Sequence, residues 1–374
     1  MSSNKQHLPW LDLIRFTAAF LVVICHVRCE MLQTYSMLQP DSQNIFTQML
    51  YFATGMGKAG VIIFFILSGF LVGGKNLSRS LAGSISLKNY IIDRAIRIGV
   101  PLLCSLLLVC LVDYIQLQFE IDNTGMSYGL IAQHSIVEIL GNIFGLQGVL
   151  VGDAGGVFWT LAYEIWFYVL IGGVLAVMLK TRRDSVIEIR LYIGWGIICL
   201  ALLVFSFLHF VWLTILISGI MAYYFSKKQI SKRVFYTALV AFLCVIVVMP
   251  LTSETHTSRF VLKVPSEVFE VMTGLFGAIV IGGLVQYTPK GRIANCINNM
   301  GTFLASFSYS LYLTHYQVIR LMRTIGIEQY DCISIKTIAI FICEVVACML
   351  FAYLFYTITE KQTTKIKDYI KLHV

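Results

Sequence analysis

The sequence predicts an all-α, polytopic membrane protein, and three observations carry that prediction. Of its 374 residues, 58% are hydrophobic and only 13% charged, against roughly 25% charged in a soluble globular chain. Mean hydropathy is +0.79. Ten apolar stretches approach the length of about 20 residues that a helix needs to cross a bilayer. The connections between them alternate between basic and acidic, as expected of a chain threaded back and forth under the positive-inside rule.

The predicted spans are 10–29, 51–73, 98–118, 157–179, 191–208, 210–226, 234–250, 267–287, 304–322 and 333–358. The first follows Lys5 and resembles a signal peptide, but no small-x-small cleavage site follows, and Ile24 before Cys25 makes a poor lipoprotein signal. It is therefore expected to be retained. Lys75, Arg79, Lys88, Arg94 and Arg97 lie between spans two and three, and Lys180, Arg182, Arg183 and Arg190 between four and five. Lys227, Lys228, Lys232 and Arg233 separate six from seven, Lys290 and Arg292 separate eight from nine, and Lys361, Lys365, Lys367 and Lys371 follow ten. The alternate connections carry Glu120, Asp122, Glu138, Asp153, Glu254 and Asp331. Both termini are thus expected on the cytoplasmic side, and an even span number agrees. The net charge of +8 is accounted for by cytoplasmic loops and calls for no nucleic-acid partner.

The short connections leave no room for a soluble domain, so residues 1–374 are expected to form one membrane-embedded unit. In the longest outer connection, Phe119 to Val157, the segment Ile136–Val151 is apolar but too short to span. It reads as a re-entrant or interfacial helix followed by a flexible Gly152-Asp153-Ala154-Gly155-Gly156. Ile293–Phe303, after Pro289, reads as a short amphipathic helix on the inner surface. No internal repeat is seen.

Most of the ten cysteines sit inside apolar segments. No CxxC pair or CxxC…HxxxH array occurs, so no metal site is expected. Cys29 and Cys332 both fall near the outer surface, where a disulfide is an option. Gly55-Met-Gly57-Lys-Ala-Gly60 matches GxGxxG, and Gly69 to Asn76 nearly matches a phosphate-binding loop. Neither lies between a strand and a helix, so both read as helix-end and packing glycines. HExxH, GxSxG and HxxxxD are absent, which argues against a zinc protease, a serine-hydrolase elbow and the glycerolipid acyltransferase signature.

Ionisable groups inside a membrane helix are costly and usually face the bundle interior, so each is a functional hypothesis. Span one carries Arg15 and His26. Eleven residues at about 100° each make three turns plus 20°, with a rise of roughly 16 Å, so the two lie on one face near opposite ends of the helix. Glu164 lies one to two turns into span four from outside, and His315 in the outer half of span nine. Asp12, Arg15, Arg94 and Arg97 group on the inner side. Arg94 and Arg97, one turn apart before Pro101, form a fork suited to phosphates. The blander readings are that Arg15 snorkels to headgroups, that His26 is an interfacial histidine, and that Arg94 and Arg97 only mark the inner side. Glu344, near the middle of span ten, fits neither group. An inner cationic cluster, joined along one helix face to a histidine and a carboxylate outside, suggests a site reached from both faces. A phosphorylated donor would enter from the cytoplasm and an acceptor from outside.

Arg15 and His26 in this spacing, Gly60-Val-Ile-Ile-Phe-Phe-Ile-Leu-Ser-Gly69-Phe, Arg94-Ala-Ile-Arg97, Trp159-Thr-Leu-Ala-Tyr-Glu164 and Ser308 to His315 resemble the acyltransferase-3 family. The likeness runs from Trp10 to about Lys361. It implies a multi-span enzyme of the bacterial inner (cytoplasmic) membrane that O-acylates surface polysaccharides or related glycans from cytoplasmic acyl-CoA. It implies too that Arg15 and His26 are needed for activity and that Arg94 and Arg97 contact the CoA end. There are two departures. The chain ends soon after span ten, where some members carry a fused esterase-like domain, and His315 is followed by Tyr316-Gln317 rather than by aromatic and proline residues.

The expected function is therefore O-acetyl transfer from acetyl-CoA to a glycan or lipid-linked saccharide. His26 would act as base, with Glu164, Arg15 and His315 completing the catalytic set, and Arg15, Arg94 and Arg97 would hold the donor. A membrane-bound O-acyltransferase of lipids or proteins should also show a partnering Asn/Asp segment. A glycan transporter or flippase should show inverted repeats or Gly/Pro-broken helices in matching halves. A structural or sensory membrane protein leaves the shared Arg15–His26 face unexplained. The topology is testable directly. Reporter tags at Lys5 and Val374 should both read cytoplasmic and one inserted at Asp122 external; an external C-terminus would overturn the span count.

Overall fold

A computed structural model of the chain describes residues 9–119, 134–179, 184–251, 264–287 and 291–373. Lys5, Glu120, Asp122, Lys180, Arg182, Arg183, Glu254, Pro289, Lys290 and Val374 lie outside the described residues. The fold is 82% helical, with no strand among the described residues.

Helix α1 spans Pro9–Met31, α2 Ile45–Thr54 and α3 Gly57–Ser68. A π-helical turn at Gly69–Gly74 runs on into α4, Lys75–Leu81. Then come α5 (Leu87–Gln118), α6 (Ile136–Ile143), α7 (Trp159–Met178), α8 (Asp184–Phe207), α9 (Phe210–Phe225) and α10 (Lys232–Val248). The series ends with α11 (Ser266–Leu284), α12 (Arg292–Ser306), α13 (Ser308–Thr324), α14 (Ile335–Ile358) and α15 (Thr363–His373). Serine side chains mark several starts, because a serine oxygen can take an N–H that the helix leaves unbonded. Ser86, Ser231 and Ser334 accept from the backbones of Asn89, Val234 and Thr337.

Eight helices are long and apolar enough to cross a membrane, with Ile45–Leu81 counted as one. The expectation of about ten spans includes two further, shorter helices. The remaining two predicted spans correspond to α9, with 16 residues, and α13, with 17. At 1.5 Å per residue these reach only about 24–26 Å, short of a hydrocarbon core of roughly 30 Å. Boundaries shift for local reasons. The predicted span 51–73 begins at Ile45 and breaks at Gly55. The predicted 304–322 is split at Phe307, which ends α12. Helix α5 starts eleven residues before the predicted 98, so Arg94 and Arg97 are helical.

Helix α1 packs against α3, α12, α13 and α14, while α9 packs against α3, the π turn and α11. The motif-like glycines serve this packing. A Cβ on Gly69 would lie 2.0 Å from the carbonyl oxygen of Leu216, and one on Gly219 would lie 2.2 Å from that of Ile66. The two backbones therefore cross in contact, as small-residue interfaces between membrane helices allow.

Helix α13 is the most enclosed element. Ser308, Ser310, Thr314, His315, Gln317 and Arg320 are all 0% exposed, although it is the least apolar of the ten. The segment Ile136–Val151 is a short capped helix, α6, followed by turns. Ser135 and Glu138 form its capping box. Gly152–Gly156, read as a flexible link, is instead held in place. The Asp153 carboxylate accepts from Gly155 N at 2.9 Å, Gly156 N at 3.0 Å and Trp159 N at 2.8 Å, fixing the start of α7. Gly156 there has φ +77°, a conformation glycine adopts without strain. Burial pushes the Asp153 carboxyl above its ordinary value, and the N–H donors pull back against that. Ile293–Phe303 lies within amphipathic α12, as expected. Cys29 and Cys332 are free thiols rather than a disulfide, as is Cys25 one turn from Cys29 on α1.

Candidate active site

The inner arginines converge. Arg15 of α1 and Arg94 and Arg97 of α5 line one small cavity of about 70 Å³, together with Ser68, Glu164, Tyr168 and Tyr309. Asp12 lies 3.8 Å from Arg15. The Arg94 guanidinium stands 5.6 Å over the Tyr168 ring, a cation–π contact.

Glu164 lies between this cavity and the next. It accepts hydrogen bonds from Tyr168 OH and from Ser68 Oγ, the latter at 3.3 Å. These bonds hold it to Ser68 and Tyr168 rather than to the His26 ring. A second cavity, of about 50 Å³, is lined by Glu164, Phe64, Tyr309, Thr160 and Tyr312. Phe64, Glu164 and Tyr309 thus bound both spaces.

Tyr312 carries the path onward. Its hydroxyl donates to Val157 O at 2.6 Å and pairs with Thr160 Oγ1 at 2.6 Å, and its ring centroid lies 5.9 Å from that of His315. His315 meets His26 at last: His26 Nδ1 and His315 Nε2 are 2.8 Å apart, with the rings 2° from parallel.

The tautomers follow from one further contact. His315 Nδ1 lies 3.0 Å from the carbonyl oxygen of Leu311. A carbonyl oxygen can only accept, so Nδ1 of His315 holds the hydrogen and Nε2 its lone pair. His26 Nδ1–H must then donate to His315 Nε2, which leaves Nε2 of His26 as that ring's lone-pair nitrogen.

Behind the histidines lies a network that sequence reasoning missed. Arg320, 0% exposed, donates to Asp113 Oδ1 at 2.6 Å, to Gln116 Oε1 at 2.7 Å and to Gln317 Oε1 at 2.9 Å. Asp113 also meets His134 Nδ1 at 2.6 Å, and Gln317 Nε2 donates to Gly155 O at 3.1 Å. The network therefore joins α5, α13 and the loop ahead of α7. Arg320 and Asp113 are ionisable residues inside predicted spans, the same signal that picked out Arg15. Tyr168, Tyr309 and Tyr312 gave no such signal, because aromatic residues are common in membrane helices. Glu344, unassigned from sequence, is buried with Oε2 lacking a hydrogen-bond partner. Cys348, one turn on, donates to His315 O at 3.7 Å. Among the described residues, no group of three or more His, Cys, Asp or Glu is placed to hold a metal.

A family profile described as an acyltransferase domain, acyltransferase-3, matches residues 8–357, nearly the whole chain. The chain belongs to the acyltransferase-3 family. This acyltransferase-3 member is thus a multi-pass membrane acyltransferase, and its expected resemblance holds over almost its full length. No curated protein and no solved structure matches it.

The buried network makes a stability prediction. Asp113→Leu strands the Arg320 charge in the interior and should cost roughly 3–5 kcal/mol. Asp113→Asn, which can still accept from Arg320, should cost less. Thermal unfolding of the detergent-solubilised variants checks the order.

Proposed function

We propose that this acyltransferase-3 member moves a short acyl group, acetyl, from cytoplasmic acetyl-CoA to a hydroxyl of a surface glycan or lipid-linked saccharide. The observation that carries the reading is the path between its two ends. Three arginines surround one cavity, a histidine pair lies beyond a second, and Glu164, Phe64 and Tyr309 bound both. Arg15 and His26 are separated by about 16 Å of helix rise, a span an extended thioester arm can cover. Guanidinium groups suit the phosphates at the CoA end.

The chemistry uses the tautomers deduced above. Nε2 of His26 takes the proton of the acceptor hydroxyl as its oxygen attacks the thioester carbonyl carbon. The imidazolium that forms keeps its Nδ1–H bond to His315. When the tetrahedral intermediate collapses, the C–S bond breaks and the imidazolium protonates the departing thiolate. The products are an ester and free CoA thiol, and no acyl-enzyme is required. His315 is a positioning residue here, holding one tautomer and orientation of His26. Glu164, hydrogen-bonded to Tyr168 and Ser68, lies along the donor path rather than beside the base. In this reading, fixing the Tyr168 ring that Arg94 stands over is its chief task.

His26→Ala should abolish transfer, a loss of at least about 10²–10⁴-fold, while the protein still inserts and binds acetyl-CoA. His315→Ala should lose most of the rate. His315→Gln should recover part of it, because a side-chain carbonyl can still accept from His26 Nδ1–H. Glu164→Gln should be milder than His26→Ala. Near-native transfer by purified His26→Ala, measured by release of free CoA thiol with acceptor present, would place the base elsewhere. At the other end, Arg94→Ala or Arg97→Ala should remove a charge-assisted contact worth roughly 1.5–3 kcal/mol. Acetyl-CoA binding by calorimetry should weaken about 10- to 150-fold, with folded yield little changed.

A further inference from the structure

Helix α15, Thr363–His373, lies beyond the residues that the family profile matches, which end at 357. It is nonetheless tied to the arginine end of the molecule. Lys367 Nζ lies 2.8 Å and Lys371 Nζ 2.9 Å from Asp93 Oδ1 on α5. The turn leading into α15 is anchored as well, because Glu360 Oε2 accepts from Ser310 Oγ of α13 at 3.0 Å. The segment is thus pinned to α13 at Glu360 and to α5 at its two lysines.

Asp93 stands next to Arg94 and one turn before Arg97. At about 100° per residue, Arg97 falls between the other two around the axis of α5, roughly 40° from Asp93 and 60° from Arg94. The two lysines therefore extend the face that carries the cavity arginines, displaced from Arg97 by roughly 6 Å of helix rise. One carboxylate between two ammonium groups leaves this cluster with a positive charge in excess, and each ammonium has three donors. The side chains of Lys367 and Lys371 are 32% and 28% exposed, so both can be reached from outside the bundle.

We propose, resting on the acetyl-CoA donor of the function proposed above, that Lys367 and Lys371 bind the 3′-phosphate of the donor. They would thereby select acyl-CoA over thioesters that lack that phosphate. With the diphosphate at Arg94 and Arg97, the remaining phosphate of CoA lies one ribose away, a step comparable to the single turn from Arg97 to Asp93. A phosphomonoester carries about −1.5 to −2 charges at neutral pH, against −1 on Asp93. Two ammonium groups that share one carboxylate gain by turning to it, and their flexible stems allow the turn.

A plain tether between α15 and α5 would use the same ion pairs, and binding separates the two roles. Acetyl-CoA and acetyl-dephospho-CoA are each titrated by calorimetry into the full-length protein in detergent. Acetyl-CoA should bind about fivefold more tightly, as two exposed charge contacts allow. Lys367→Gln combined with Lys371→Gln should bring the two within about twofold and leave acetyl-dephospho-CoA unchanged. Asp93→Asn breaks the same ion pairs, so a tether would respond to it as to the lysine variants. Here it should bind acetyl-CoA at least as tightly as the native protein, because a negative charge beside the phosphate is gone. If the double variant does not elute as a single species, each single lysine variant should still lose about twofold of the preference. Equal native binding of the two thioesters, a full preference kept in folded lysine variants, or weaker acetyl-CoA binding by Asp93→Asn would each overturn the proposal. Native binding of neither thioester would overturn the proposed donor itself, and the 3′-phosphate site with it.

Discussion

A helix that carries serine, threonine, histidine, glutamine and arginine can lie at membrane depth only where other protein surrounds it. Helix α13 meets that condition, with α1, α5 and α14 packed around it. Hydrocarbon offers no partner to a polar group, and an unpaired one costs several kcal/mol. The polar side chains of α13, the Tyr309 hydroxyl excepted, therefore find their bonds within the bundle. Ser310 donates to Glu360 at 3.0 Å, Thr314 to Ser310 O at 2.8 Å and Arg320 to three acceptors. The rest of the site inherits its geometry from this helix, because neighbours that satisfy it are thereby fixed in rotation and height.

The histidine pair is one result. His315 is fully buried and uses its own helix backbone, at Leu311, as the acceptor for one nitrogen. That single contact assigns the hydrogens on two rings, and His26 on α1 acquires its tautomer from a carbonyl on α13. The Arg320 network is another. Asp113 and Gln116 belong to the helix that carries Arg94 and Arg97, and Gly155 belongs to the loop that Asp153 pins ahead of Glu164. The helix of Arg94 and Arg97, the helix of His315 and the start of α7 are thus joined by hydrogen bonds around one buried charge. Such a network is stabilising only while every member is satisfied, so it favours one arrangement of the three elements.

Much of this was legible because a membrane makes polar residues conspicuous. Arg15, Arg94 and Arg97 stand out in apolar surroundings, and they do share a cavity. His26 and His315 were placed in the same outer half by counting residues, and they do touch. Depth, however, says nothing of rotation between helices. Glu164 was grouped with His26 on depth and instead bonds Ser68 and Tyr168. Hydropathy misleads where a helix faces protein rather than lipid, and for that reason α13 fails the length and apolarity test that its neighbours pass. Arg320 and Asp113 obeyed the rule that flagged Arg15. They were legible and passed over.

The dimensions of the path carry the last step. The two cavities hold about 70 and 50 Å³, against the ≈ 30 Å³ that one water occupies in the liquid. Neither can accept an extended pantetheine-like arm as it stands. Phe64 and Tyr309 bound both cavities, and a side chain shared by two small spaces can join them by changing rotamer without moving a helix. A path that is closed when empty has a chemical use. A thioester held near a histidine base is open to attack by water as well as by a sugar hydroxyl, and a closed site excludes that side reaction. It also keeps the bilayer from becoming a leak between its two faces. In the proposed reading, the same aromatic pair would both admit the donor and shield it once inside, with Phe64, Glu164 and Tyr309 standing between the two cavities.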